Sequence, residues 1–298
     1  MNNFPIPTGL ELQQKMNLPN TPVYHRRGGF KAVYTMKNAR NVDEALKAIF
    51  IPRAESEQER LQRNQLIARA KREIAALSEC SSAGIVKLGG IKAEMVELQH
   101  ADYLVYSEEM LKGEPLASRL APGSPQMDFE SLRLLLLTLV RLIGDLHAIN
   151  YLHRDIKPDN IMDTGDPNRR FVALDMGIAY KLHGTDITQG PNPPGTLRYM
   201  APELLGPNYK DSMDYRSEIY SAGLTVYVLA SKSHPFAPMP EHAYATLYRI
   251  MNTHPQPLAR LRPDLPQAFC QIIDRCIRKR AALRYSSIDI LINEIERI

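Results

Sequence analysis

The sequence predicts an α+β fold in which strands and helices are segregated along the chain, and three observations carry it. Residues 23–51 alternate apolar with polar side chains, are rich in Val, Tyr and Phe, and contain the pair Gly28-Gly29, which marks strands joined by tight turns. IVKLGGI (85–91) and ADYLVYS (101–107) predict two further strands. Beyond the Gly/Pro/Ser-rich stretch LKGEPLASRLAPGSPQ (111–126) the pattern turns helical, with proline-rich joints at HPQP and RPDLP. With 298 residues and 44% hydrophobic content, the chain can bury one large core or two smaller ones.

Composition narrows the classes of function. The formal charge of +4 is mild and basic residues are interleaved with acids, as in RAESEQERLQRNQLIARAKRE, so no nucleic-acid footprint is present. Cys80, Cys270 and Cys276 are odd in number and lack framework or metal spacing, which predicts reduced residues in a cytoplasmic chain. MNNFPIPTGLELQQ has no basic region followed by an apolar run and does not read as a signal peptide. LRLLLLTLVRLI is short and carries two arginines, so it predicts a core helix, with no membrane span.

Taken in order, residues 1–22, with Pro5, Pro7, Pro19 and Pro22, predict an extended tail. A helix is expected from about Glu55 to Glu79, because Leu66, Ala70, Glu73 and Leu77 recur at helical spacing on one face. Glu73 is a carboxylate within that apolar stripe; either it reaches water at the stripe's edge or a cation meets it. A second helix follows Asp128, its expected N-cap, with Leu132, Leu135, Leu136, Leu139, Leu142 and Leu146 on a broad apolar face.

HRDIKPDN (153–160) crowds two acids, two bases, an imidazole and an amide between strongly apolar flanks. A solvated turn would account for its Pro, Asp and Asn. Buried charges, however, need partners, and a dense ionisable group between apolar segments is the usual setting of a catalytic loop. His147 and His153 do not make a metal site, since no cysteine or carboxylate completes a ligand set.

HRDIKPDN, Asp175 in DMG, and GTLRYMAPE (195–203) together resemble the catalytic and activation segments of eukaryotic-type (Hanks-type) serine/threonine protein kinases. The resemblance runs from about Val23 to Leu291. It implies a bilobal α+β fold over residues 23–298: a strand-rich N-lobe (about 23–108) with one helix, a hinge (about 107–113) and a larger helical C-lobe (about 114–298). It also implies an ATP-dependent enzyme that uses Mg2+ to phosphorylate Ser/Thr hydroxyls of protein substrates. Asp155 would orient or accept the hydroxyl proton, Lys157 would steady the transferring phosphoryl group, and Asn160 and Asp175 would hold the metal, in keeping with the preference of that ion for hard oxygens.

In the first lobe, the resemblance makes Lys47 of EALKAI the strand lysine for the α- and β-phosphates and pairs it with Glu73. Gly28 and Val33 fall at positions of the family's glycine-rich loop. Arg26 and Lys31 replace its first and third glycines, either lending charge to the nucleotide or pointing outward from a stiffer loop. The adenine edge would meet the backbone from Glu109 to Leu111, with either Ser107 or Glu108 behind it. Met176 replaces the usual Phe, and Glu218 stands where an aspartate braces the backbone near His153 and Arg154. Glu203 would pair with Arg284.

Thr185 and Thr188 are the candidate regulatory phosphosites, with Arg154 as the nearby cation, and the presence of Lys157 and Thr196 matches the serine/threonine branch of the family. Two rivals remain: a pseudokinase scaffold, motivated by Arg26, Lys31 and Glu218, and a small-molecule phosphotransferase, which would lack the GT…YMAPE segment.

Overall fold

The computed structural model describes residues 4–298 apart from 29, 99, 177–179, 182–196, 207–208, 210 and 238–242. The chain divides into two compact units, one of residues 1–79 and 86–112, the other of residues 80–85 and 113–298.

Unit 1 is built on a five-stranded antiparallel sheet ordered β1-β2-β3-β5-β4, with β1 Val23–Gly28, β2 Lys31–Lys37, β3 Asp43–Ile51, β4 Glu94–Glu97 and β5 Asp102–Glu109. The period of two splits its side chains between two faces. Tyr34, Leu46, Ala48, Tyr103 and Val105 bury one face against Phe4, Leu12 and Leu18. Ile49, Leu104 and Tyr106 bury the other against Ala70, with Leu66, Ile67 and Ile74, all on helix α2 (Glu57–Glu79).

The N-terminal segment differs from the extended tail expected for it. Gly9–Met16 is a helix, α1, closed by a capping box in which Thr8 and Glu11 exchange side-chain and backbone bonds. Its Leu12 is fully buried, and the preceding segment is tied down by bonds from Tyr103 Oη to the Pro5 carbonyl (2.6 Å) and from Tyr34 Oη to the Pro7 carbonyl. The prolines serve as acceptors: they have no N–H to give, and their carbonyls take the tyrosine hydroxyls.

Residues 85–91 also depart from expectation, forming isolated bridges at Ile85 and Leu88 instead of a strand. Gly89 explains the close path here, since a Cβ at that position would collide with the Ser107 hydroxyl and the Glu44 carboxylate.

Unit 2 is mainly helical. Helix α3 (Phe129–Ala148) starts where Asp128 accepts the Ser131 amide at 2.7 Å, and it packs its leucines against α4 (Tyr215–Ser231) and the helices Gln267–Cys276 and Ile288–Glu296 in one core. Strand β6 (Glu114–Pro115) precedes α3 and β7 (Tyr151–Leu152) follows it, and between α3 and α4 the short strands β8 (Ile161–Asp163), which also pairs with β6, and β9 (Phe171–Ala173) form a hairpin in which Ile161 faces Ala173. Met176 is fully buried, so a flexible thioether fills a core position just past the hairpin. Among the described residues, no helix is long and apolar enough to cross a membrane.

Candidate functional site

In unit 2, the β8–β9 hairpin organises the polar loop. Antiparallel pairing places Asn160, just before β8, and Asp175, just after β9, at the same end, and the Leu174 amide donates to the Asn160 carbonyl at 2.7 Å. The turn end of the hairpin is held by Arg170, whose guanidinium reaches Asp163 (3.1 Å) and the Ser131 hydroxyl (2.8 Å). Asp175 sits at φ 57°, in the left-handed region that a non-glycine residue occupies only when its surroundings hold it there.

Asp155 stands at the centre of the loop. Its Oδ2 accepts from Lys157 Nζ and from Asn160 Nδ2, both at 2.7 Å, and its carbonyl accepts from the same Asn160 amide at 3.0 Å. Fixing both Asn160 donors in this way assigns its Oδ1 as the remaining acceptor. Asn160 and Asp175 therefore offer an amide oxygen and a carboxylate, hard donors that fit Mg2+.

The loop is braced from helix α4. Glu218, buried, accepts the backbone amides of His153 and Arg154 at 2.7 Å each, one per carboxylate oxygen. Arg154 is in the left-handed region at φ 70°, so the brace acts where the backbone is strained. The methylene that distinguishes this glutamate from aspartate is accommodated within a two-bond clamp.

Further along the chain, Glu203 and Arg198 are each anchored. Glu203 receives Arg284 through two bonds, Nη1 to Oε1 at 2.6 Å and Nη2 to Oε2 at 2.8 Å, and the guanidinium also donates to the carbonyls of Arg216 (2.9 Å) and Arg278 (2.8 Å). His234 Nε2 lies 3.0 Å from the Arg198 carbonyl, while its Nδ1 accepts the amides of Phe236 (3.2 Å) and Ala237 (3.1 Å). Burial lowers its pKa to about 4, against the Arg198 carbonyl, which favours the proton. Thr185, Thr188, Gly195 and Thr196 lie outside the described residues.

In unit 1 the expected Lys47–Glu73 pair is not formed, and this corrects the sequence reading. Lys47 Nζ donates to Glu108 Oε1 at 2.6 Å. Glu73 instead takes Lys31, whose Nζ is 2.8 Å from Oε1 and 2.9 Å from Oε2. Tyr106 joins the two pairs, its hydroxyl 3.0 Å from Glu73 Oε1 and 3.3 Å from Glu108 Oε1. The cause lies in the register. Lys31 faces Ile49, Val33 faces Lys47 and Lys47 faces Tyr106, so Lys31, Val33, Lys47, Tyr106 and Glu108 all share the α2 face of the sheet.

Glu108 is the penultimate residue of β5, beside Ser107 and Glu109, where a polar strand end reads as solvent-facing. Burial pushes its carboxyl above the ordinary range, opposed by the Lys47 ammonium. Alternation also separates the two residues left open behind the adenine edge: Glu108 is on the Lys47 face, and Ser107 is on the other, donating to Glu44 Oε2 at 2.5 Å. Next along the chain, the Glu109 amide is committed to the Lys87 carbonyl at 2.9 Å, and Glu109 Oε1 accepts the Lys87 amide at 2.7 Å. Gly28, closing β1, faces Lys31 across the turn.

The family model described as "Protein kinase domain" matches residues 27–294. Among curated relatives, "Probable serine/threonine-protein kinase PknB" of Lactococcus lactis subsp. lactis is 24% identical over 270 residues, covering 90% of this chain and 40% of that protein. "Serine/threonine-protein kinase PknA" of Mycobacterium tuberculosis is 33% identical over 186 residues, covering 62% of this chain and 40% of that protein. A third, "Dual specificity mitogen-activated protein kinase kinase mek-1" of Caenorhabditis elegans, is 33% identical over 158 residues, covering 48% and 42%. The chain thus spans about two fifths of the length of these relatives. With the family model matched along nine tenths of its residues, and with Asp155, Asn160 and Asp175 gathered at one end of a braced hairpin, the chain belongs to the protein kinase domain family.

Proposed function

We propose that the protein transfers the γ-phosphate of ATP to serine or threonine hydroxyls of protein substrates. The observation that carries this reading is the convergence of Lys157 and Asn160 on Asp155 Oδ2, both at 2.7 Å. Asp155 would accept or orient the proton of the attacking hydroxyl. Lys157, held beside it, would neutralise charge on the transferring group. Such a reaction asks for positioning and charge compensation more than for covalent help.

Asn160 and Asp175 would hold Mg2+, which would supply positive charge against the charge on the transferring phosphoryl group. The carbonyl of Glu109 and the backbone of Leu111 would meet the adenine edge, with Gly28 and Val33 beside the nucleotide. A lysine on the α2 face of the unit 1 sheet would meet the nucleotide phosphates. Phosphorylation of Thr185 or Thr188, with Arg154 as the receiving cation, would regulate the activity.

A scaffold without efficient transfer is the second reading, and one observation favours it: Lys47 is bound to Glu108. Incubating the full chain with Mg2+ and γ-labelled ATP, alone and with a generic protein substrate, and mapping the label by mass spectrometry decides between them. Label on serine or threonine, Thr185 and Thr188 included, is expected. Nucleotide binding with no label on any hydroxyl would favour the scaffold.

A further inference from the structure

In the arrangement implied by the family resemblance, one lysine binds both the helix carboxylate and the nucleotide phosphates. Here the two lysines of the α2 face have separate carboxylates. We infer that Lys31, on β2, is the Glu73-anchored cation that contacts the nucleotide phosphates, and that Lys47, on β3, is the structural counter-ion of Glu108. The inference rests on the ATP-dependent reading above and changes which residue of unit 1 serves it.

Two independent features support the exchange. The first is anchorage. Lys31 Nζ lies within 2.9 Å of both oxygens of Glu73, a carboxylate that is 1% exposed, and Tyr106 Oη donates to the same group at 3.0 Å. An ammonium held between two carboxylate oxygens is fixed in position, as a phosphate-binding cation must be if it is to favour one nucleotide geometry.

The second is placement. Lys31 opens β2 and pairs with Gly28, the last residue of β1, so its side chain leaves the sheet at the end where the family resemblance puts the phosphate-binding loop. The third-glycine position of the family's loop is therefore not merely lost: a cation has taken it.

Lys47 is poorly suited to the same task. It lies deeper than Lys31, 10% exposed against 17%, and its partner Glu108 is 3% exposed. Turning Lys47 toward a phosphate would leave Glu108 buried without its cation, a strongly unfavourable arrangement. The aromatic face of Tyr106, with its centroid 5.9 Å from Lys47 Nζ, holds the ammonium further in place.

The test measures what the phosphates contribute to binding, separately from transfer. Affinities for Mg-ATP and for adenosine are measured by calorimetry on the parent chain, Lys31→Met, Lys31→Arg, and the double variant Lys47→Met/Glu108→Leu, which removes a buried pair as a unit. The parent should prefer ATP. Lys31→Met should lower the ATP-to-adenosine affinity ratio by about tenfold or more, the usual worth of a charge-assisted bond, and Lys31→Arg should restore much of it. The Lys47/Glu108 double variant should keep the ratio within about threefold of the parent, less than the loss of one such bond would produce.

Should Lys31→Met fold poorly, Lys31→Met/Glu73→Gln removes the charge from both partners and should show the same loss. A ratio that collapses in the Lys47/Glu108 variant and survives in the Lys31 variants would overturn the inference, as would a parent with no preference for ATP over adenosine. A parent without transfer activity whose ratio nonetheless falls with Lys31 would sink the proposed function and leave this inference standing.

Discussion

Glu218 clamps the amides of His153 and Arg154 at 2.7 Å each, so helix α4 fixes the backbone immediately before Asp155. Both bonds end on a buried carboxylate, and Arg154 is held at φ 70°. Glu218→Gln keeps one acceptor but turns an NH2 group toward the other amide. The variant should lose about 2–3 kcal/mol, the range for a buried charge-assisted bond left unmade, measured by urea denaturation monitored by circular dichroism. Transfer activity should fall with it, since the loop carrying Asp155 loses its support.

Removing one member of a buried ion pair is worse than removing both. Lys47→Met leaves Glu108 uncompensated and should cost about 3–5 kcal/mol, whereas Lys47→Met/Glu108→Leu should return to within about 1 kcal/mol of the parent. The pH dependence has a definite sign. In the single variant the folded state keeps a proton on Glu108 at pH values where the unfolded chain, with a carboxyl near 4.5, has released it. Stability must therefore fall as pH rises above that value, more steeply than in the parent. Equal slopes in denaturation series between pH 5 and 8 would contradict the buried pairing.

His234 gives the opposite slope. Burial lowers its pKa from 6.5 to about 4, and a proton on Nδ1, which accepts two backbone amides, would face two donors. Below pH 6.5 the unfolded chain binds a proton that the folded chain refuses until about pH 4, and stability is lost across that window as pH falls. The loss should amount to about 2–4 kcal/mol. His234→Gln, which cannot titrate, should flatten this part of the curve in thermal melts taken from pH 7 to 4.

Arg284 and lysine are not interchangeable here. The guanidinium is fully buried, bonds both oxygens of Glu203, and donates to three backbone carbonyls, those of Arg216, Arg278 and Lys279. A lysine keeps the charge but cannot reproduce the planar fork. Arg284→Lys should destabilise by about 3–5 kcal/mol, seen as a lowered Tm in calorimetry, with a smaller loss for Glu203→Gln, which leaves several acceptors for the arginine.

Much of this molecule is written in local pattern. The helical stripe of Leu66, Ala70, Glu73 and Leu77 lies on α2 as spaced, Asp128 caps α3 through the Ser131 amide, and the flanks of HRDIKPDN are core. Helix α1 was legible too, since Thr8 and Glu11 spell a capping box, but four prolines around it read as extended chain.

The lysine pairing was not legible. Two buried carboxylates, Glu73 and Glu108, face two lysines, Lys31 and Lys47, across three strands and a helix, which allows two matchings. Sequence spacing does not choose between them; strand register and side-chain reach do. Glu108 carried a signal of its own as an acid in the apolar run YLVYSEE, where a buried charge must find a partner.

The claim that Asp155 is the reacting centre is tested most directly by single-turnover transfer from γ-labelled ATP, comparing the parent chain with Asp155→Asn. The asparagine is nearly isosteric and stays within reach of Lys157 and Asn160, which both meet Oδ2 at 2.7 Å. The variant should therefore bind Mg-ATP with affinity close to the parent's. It should fail to accept or orient the hydroxyl proton and lose transfer by about 10²-fold or more. Transfer by Asp155→Asn at the parent's rate, with nucleotide affinity preserved, would contradict the account.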